Sequence, residues 1–345
     1  MQIYKYVIKI SKFAPMKKIT SLLFLIIVLI TSCETDFDVN AEWEEITVVF
    51  GLLDQSQEKQ YIRINKVFLG EESVNVMASF SDSLNYDPQN LEVKIQRVSD
   101  DNTVLGERIL TDTIMYKEDG MFATENNIIY VFDTDYFLQE DKNYILTVTN
   151  LKSGKIITSK TNLIHGLNLM SSFENPSYKM GFYSQSGDFS STTVQWTHSK
   201  NAAIYQMSLK IHYSEYSPTE TVVDSITKVF PIVNYSGSSD MKQTISGEEI
   251  FSFIANSVPM DNNVTRKINS VDVLFSVGSS TLNTYINLNE PPTGIVQERP
   301  VYTNIEGGIG LFSCRYNKGQ KGILLTSTTK QAIAEQLDSL NFIYP

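Results

Sequence analysis

Alternation of apolar and polar residues at period two is the feature that most narrows the folds open to this chain. Tyr205, Met207, Leu209, Ile211 and Tyr213 fall on one side of an extended segment, and Gln206, Ser208, Lys210 and His212 on the other. A strand has that periodicity and a helix does not. Leu91, Val93 and Ile95 alternate in the same way with Glu92, Lys94 and Gln96, and residues 271–277 read as a further strand. Residues 46–50 run into Gly51, and residues 61–65 follow a polar turn, so the two predict a hairpin. Residues 144–149, a Lys-Ser-Gly turn at 152–154 and residues 156–158 continue the pattern. Antiparallel sheets with one wet face produce it, and many short strands separated by turns predict a β-sandwich.

The predicted fold class is mainly β, with two β-sandwich domains. Residues 41–164 read as the first. Residues 165–326 read as the second, decorated with short α-helices, and residues 327–345 as a C-terminal helix and tail. In the second unit, residues 193–197 carry Trp196 and precede the Tyr-led strand, a pair that resembles the B–C hairpin of fibronectin-type-III modules. Ser246-Gly247-Glu248-Glu249 is a capping box, Ile250, Phe253 and Ile254 share a helical face, and Pro259 ends the element. Leu282, Tyr285 and Ile286 predict a shorter helix stopped by Pro291-Pro292. At the C-terminus Thr328 caps, and Ile333, Leu337 and Leu340 form the stripe.

The N-terminal segment sets the address. Lys17 and Lys18 precede an apolar run of about 12 residues from Ile19 to Ile30, well short of the ~20 that span a bilayer. A basic stretch, a short apolar core and small residues describe a secretory signal over residues 1–32, with Met16 as the natural start. Ile30-Thr31-Ser32-Cys33 resembles a bacterial lipobox, which makes Cys33 the lipidated first residue of the mature chain. Residues 33–40 form a short acidic tether.

Charge excludes several functions. Of 28 basic residues, five lie in the first 32 positions, which hold no acid, so the formal net charge falls from −11 to about −16 on maturation. A polyanion of this size does not bind nucleic acid through its phosphates, nor anionic head groups. Membrane attachment therefore rests on acyl chains, at ~0.8 kcal/mol per buried methylene. With Cys33 committed to lipid, Cys314 has no partner for a disulfide and reads as a buried, inert thiol; 18 Tyr and 18 Phe supply the core instead.

No motif carries catalysis. His165, His198 and His212 lack zinc-site spacing, no Gly-x-Ser-x-Gly elbow is present, and no cofactor is expected. Gly307-Gly308-Ile309-Gly310 leads into a strand with no Lys-Ser/Thr after it, which favours backbone packing over a phosphate loop. Asp133-Thr134-Asp135 reads as a solvated strand end rather than a calcium loop. Asp-Ser/Thr-aliphatic tripeptides at Ser83, Thr113, Ser225 and Ser339 resemble O-glycosylation acceptors of Bacteroidota, with Ser339 on the terminal helix the least suited. Tyr178, Phe182 and Tyr183, in a Ser/Gly-rich stretch, are the candidate ligand platform; the alternative is that these rings fold back onto the second sandwich.

Residues 282–316 read Leu-Asn-Thr-Tyr-Ile-Asn-Leu, a proline loop, then Thr303-Asn304-Ile305-Glu306-Gly307-Gly308-Ile309-Gly310-Leu311-Phe312. This segment, with the lipobox and the Val48–Leu53 strand, resembles the DUF4249 lipoproteins of Bacteroidota. The resemblance implies an Ig-like first domain, an outer-membrane location and an accessory role beside a TonB-dependent receptor, with no catalytic residues to carry over. A structural subunit resembling the fimbrillins and a hydrolase with an unrecognised carboxylate pair are the alternatives.

Overall fold

A computed structural model describes residues 45–67, 84–118, 127–290 and 302–344. The signal segment, the tether, Cys33 and Ser83 lie outside the described residues.

The first half of the chain holds β1 (Ile46–Leu53), β2 (Lys59–Val67), β3 (Leu91–Val98), β4 (Val104–Ile109), β5 (Thr111–Ile114), β6 (Ile128–Asp133), β7 (Asn143–Asn150) and β8 (Ile156–Asn162). The second half holds β9 (Asn168–Leu169), β10 (Lys179–Met180), β11 (Ser191–Thr197), β12 (Ala202–Tyr216), β13 (Thr221–Val229), β14 (Val233–Asn234), β15 (Asp240–Ser246), β16 (Thr265–Ser279) and β17 (Ile309–Leu325). Among the described residues three helices exceed two turns: α1 (Gly247–Ser257), α2 (Ser280–Asn289) and α3 (Ser327–Gln336). The protein is mainly β, with antiparallel and mixed sheets.

The largest sheet runs β13-β12-β16-β17-β1-β2-β6-β5, with β10 and β14 as side pairings. A four-stranded sheet, β4-β3-β7-β8, and a three-stranded one, β15-β11-β9, are the others among the described residues. The expected hairpin is present, with Val49 opposite Ile64 on β1 and β2. The turn after β7 is closed by Asn150, whose Oδ1 accepts from the backbone N–H groups of Lys152 and Ser153, with Gly154 at φ +72°.

Trp196 lies on β11 and Tyr205 on β12, and these strands belong to different sheets. They do not pair as a hairpin. Their side chains meet instead between the sheets: Trp196 packs against Tyr205 at 5.6 Å and edge-on to Phe275 at 4.9 Å. Alternation shows which residues face inward but does not show whether consecutive strands pair or oppose.

β17 ties the two halves of the chain together. Its first part runs parallel to β1, Ile309 to Cys314 against Val48 to Leu53. Its later part runs antiparallel to β16, from Arg315 opposite Gly278 to Ile323 opposite Val271. Strands from residues 46–133 and from residues 202–325 thus share one sheet, and residues 309–314 pair directly with β1. One continuous buried cluster runs through both halves, from Val49, Ile62 and Leu146 to Trp196, Met207 and Phe275.

The segment leading into β17 is fixed by one side-chain amide acting as backbone. Asn304 donates from Nδ2 to the Phe312 carbonyl at 2.6 Å and accepts the Phe312 N–H at Oδ1 at 2.9 Å. Ser159 Oγ donates to the Asn304 carbonyl at 2.6 Å. A Cβ at Gly308 would lie 2.6 Å from the Thr47 carbonyl oxygen, so the glycines here serve close backbone approach.

Cys314 is fully buried, and burial pushes its thiol up to about 12. Below that pH the group stays neutral and unreactive. A chain in which Cys33 is replaced by serine is expected to titrate no thiol with Ellman's reagent at pH 8 when folded and one in denaturant. Rapid labelling of the folded protein would contradict the packing around β17.

Candidate functional site

The run Val48–Leu53 of β1, with no polar side chain in it, has a structural consequence. Val49, Gly51 and Leu53 turn inward, whereas Phe50 and Leu52 emerge on the opposite face. Parallel pairing places Leu311 and Ser313 of β17 beside them, and antiparallel pairing brings Tyr61 of β2 alongside. Above this outer face lies α2. It starts where Ser279 Oγ accepts the Leu282 N–H at 3.2 Å and shares a 2.7 Å hydrogen bond with Ser313 Oγ beneath.

Between α2 and the sheet is a cavity of about 460 Å³. Phe50, Leu52 and Leu311 form its floor, and Leu282, Tyr285 and Ile286 one wall. Tyr285 meets Phe50 edge to face at 5.9 Å. Phe50 is 39% exposed and Tyr61 46% exposed, high values for rings at the foot of a helix. None of the side chains of α2 is fully buried. An apolar helical stripe normally seals against a core; this one borders open space of the size that small-molecule sites have.

The polar end of the groove centres on Asp54, whose side chain is only 2% exposed. Its Oδ1 accepts from the Ser56 N–H and hydroxyl at 3.0 and 2.5 Å, and its Oδ2 from Asn317 Nδ2 at 2.5 Å. Arg315 Nε stands 3.3 Å from the same Oδ2. Gln60 brackets the backbone of Asp54, accepting its N–H at 2.8 Å and donating to its carbonyl at 2.8 Å. Lys59, also at the rim, is paired with Asp133 at 3.5 Å. A larger depression of about 690 Å³ over β7, β8 and residues 303–306 has no aromatic lining.

The residues picked out from the sequence fall elsewhere. Phe182 is fully buried in the core, so the expectation of an exposed ring there is corrected: it presents no surface to a ligand. Tyr178 is half-buried and packs on Phe173 at 4.6 Å. Tyr183 is half-buried, meets Phe189 at 5.6 Å and Phe251 at 5.9 Å, and donates its hydroxyl to the Gly187 carbonyl at 2.6 Å. Thr113 on β5 and Ser225 on β13 are half-buried on edge strands rather than in loops, and Ser339 is exposed.

The histidines are engaged separately. His165 lies within 3.6 Å of Glu140 and 3.3 Å of Asp141. His198 stacks on Tyr235 at 3.4 Å, and burial lowers its pKa. His212 Nε2 is 2.9 Å from Asp272. Asp133 ends β6 beside Lys59, as a solvated strand end does. Among the described residues, no group of three or more acids, histidines or cysteines is placed to hold a metal ion.

Sequence reasoning missed Phe50, Tyr61, Tyr285 and Arg315. Two signals bear on them: a run without alternation, which points to a strand covered on both faces, and the Leu282-Tyr285-Ile286 stripe.

No family model matches the chain, and no curated protein matches it. Of the solved structures, 23 chains match. A trypsin-activated alpha-2-macroglobulin from Escherichia coli aligns with 82% of this chain at 9% identity and TM-score 0.20. This chain spans only 16% of that protein's length. A chain of a cytokine receptor complex aligns with 79% at 8% identity and TM-score 0.22, with 96% of that chain covered. A DUF4785 family protein from Legionella pneumophila aligns with 64% at 11% identity and TM-score 0.17, with 48% of its length covered. Likeness at this level assigns neither activity nor partner.

Proposed function

We propose that this chain is a lipid-anchored outer-membrane protein of the DUF4249 kind, acting as a non-enzymatic binding or accessory module for a TonB-dependent transporter. In this reading its strands form two sandwiches, Ig-like and fibronectin-III-like. The observation that carries it is the groove under α2. Its walls are aromatic and aliphatic, and Asp54, Gln60 and Lys59 at its polar end are engaged with neighbouring protein groups. Such a site suits holding a ligand better than moving protons on one.

The lipobox and the charge support the location. A chain near net −16 gains nothing from an anionic membrane surface, so two or more acyl chains on Cys33 are the anchor. Cys33→Ser is expected to move the protein from the membrane pellet to the soluble fraction, and a variant that still sediments with membranes would sink the lipid-anchor assignment. For the partner, capture of the tagged full chain from detergent-solubilised outer membrane is expected to recover a TonB-dependent receptor. Repeated capture without one would overturn the accessory role.

A further inference from the structure

We propose that the groove between α2 and the outer face of β1, β2 and β17 binds an amphipathic carboxylate. Its apolar group lies on Phe50, Tyr61 and Tyr285, and its carboxylate on the terminal nitrogens of Arg315. This deepens the binding-module reading and rests on it.

The apolar part follows from the unfilled stripe. Leu282, Tyr285 and Ile286 sit at i, i+3 and i+4 on α2, facing a sheet surface that they do not seal. Apolar surface left wet in this way is released from water only when something apolar enters. Phe50 and Tyr285 hold each other edge to face, so the rings are already placed before a ligand arrives.

The charge preference follows from which polar groups are engaged. Both oxygens of Asp54 accept hydrogen bonds, Gln60 is bonded through both ends of its amide, and Lys59 has Asp133. Arg315 differs. Its Nε is held 3.3 Å from a carboxylate that is itself buried and fixed by Ser56 and Asn317. Its two terminal amino groups have no partner among the described residues, and the side chain is 48% exposed. A guanidinium anchored at one edge presents a planar donor pair whose geometry matches a carboxylate. A ligand that brings only donors, or a second cation, has nothing comparable to meet.

An aliphatic acid and the C-terminal residue of a hydrophobic peptide share this chemistry. Calorimetric titration of the full chain in detergent with hexanoate, hexanamide, N-acetyl-leucyl-phenylalanine and its C-terminal amide separates the two sources. At least one acid is expected to bind about tenfold or more tightly than its own amide, the size of a charge-assisted hydrogen bond. The acid that binds better identifies the source. Arg315→Gln should bring that acid to the level of its amide, Arg315→Lys should restore part of the preference, and Tyr61→Ser should weaken acid and amide alike. An amide that binds as well as its acid, or a preference that survives Arg315→Gln, overturns the carboxylate assignment while leaving a binding groove in place. Silence from all four probes, with the receptor still captured, overturns the site and not the accessory role.

Discussion

Glu215→Leu is expected to destabilise the fold by about 3 kcal/mol or more, and adding Arg266→Met is expected to recover at least half of that loss. Arg266, on β16, is 1% exposed, the most deeply buried cation among the described residues. Its Nε donates to Glu215 Oε1 at 2.7 Å, from the directly paired position on β12, and its Nη1 donates to the Leu340 carbonyl at 2.8 Å. Its backbone also receives the C-terminal segment: Arg266 N–H donates to the Asn341 carbonyl and Ile343 N–H to the Arg266 carbonyl, both at 2.8 Å. Removing the carboxylate strands a buried guanidinium, which keeps one carbonyl partner and gains no counter-charge. Removing the guanidinium leaves Glu215, at 23% exposed, still within reach of water. The two single substitutions are therefore unequal, and the double one is close to an apolar replacement of the pair. Urea denaturation of the four proteins at neutral pH reads the cycle directly. Equal single effects that simply add would show that this pair does not couple the tail to the sheet.

The same contrast between local and distant determinants separates what was legible in the sequence from what was not. The strand around Tyr205–Tyr213 is recognisable from its own pattern and extends over Ala202–Tyr216. The helix after Ser246 is present over Gly247–Ser257, with Ile250 and Ile254 buried as their spacing implies. Its Ser246 side chain, however, makes no capping hydrogen bond, so the motif marks the position without the expected contact. At α3 the cap is Thr326, whose Oγ1 accepts the Thr329 N–H at 3.3 Å, two residues before the expected Thr328. Threonines at 326, 328 and 329 offer similar caps, and tertiary packing of Thr329 decides among them: its Oγ1 accepts the Phe182 N–H at 2.8 Å.

Pairing across the chain left no such local trace. Nothing near Val48 indicates that Ile309 will lie beside it, because period two encodes a face and not a neighbour. The groove was obscured for the same reason, since its floor comes from β1, β2 and β17 and its wall from α2. Tyr178, Phe182 and Tyr183 stood out because a polar stretch surrounds them. Yet Gly247 and the Phe182 carbonyl approach so closely that a Cβ would lie 2.1 Å from that oxygen, and the stretch is held against α1. Composition suggested a free loop; backbone contact removes it.

Gly310 offers the sharpest test of β17 as the strand that joins both halves. It lies opposite Val49 at φ +119°, and a Cβ there would stand 2.1 Å from the Val49 carbonyl oxygen. Gly310→Ala therefore combines a disfavoured backbone angle with an overlap that only separation of β1 from β17 relieves. A strained backbone and a forced shift in a packed interior each cost about 1–3 kcal/mol, so a loss of about 2–6 kcal/mol is expected. That is a large share of the ~5–15 kcal/mol that holds a native protein together. Gly187 supplies the control, with φ +88° and nothing within 4 Å of the added atom. Its replacement by alanine carries the backbone penalty alone, about 1–2 kcal/mol. Melting of the two variants side by side isolates the overlap from the angle. If Gly310→Ala melts with Gly187→Ala, β1 and β17 are not in the close parallel register described, and the floor of the groove, which that register builds, loses its basis with it.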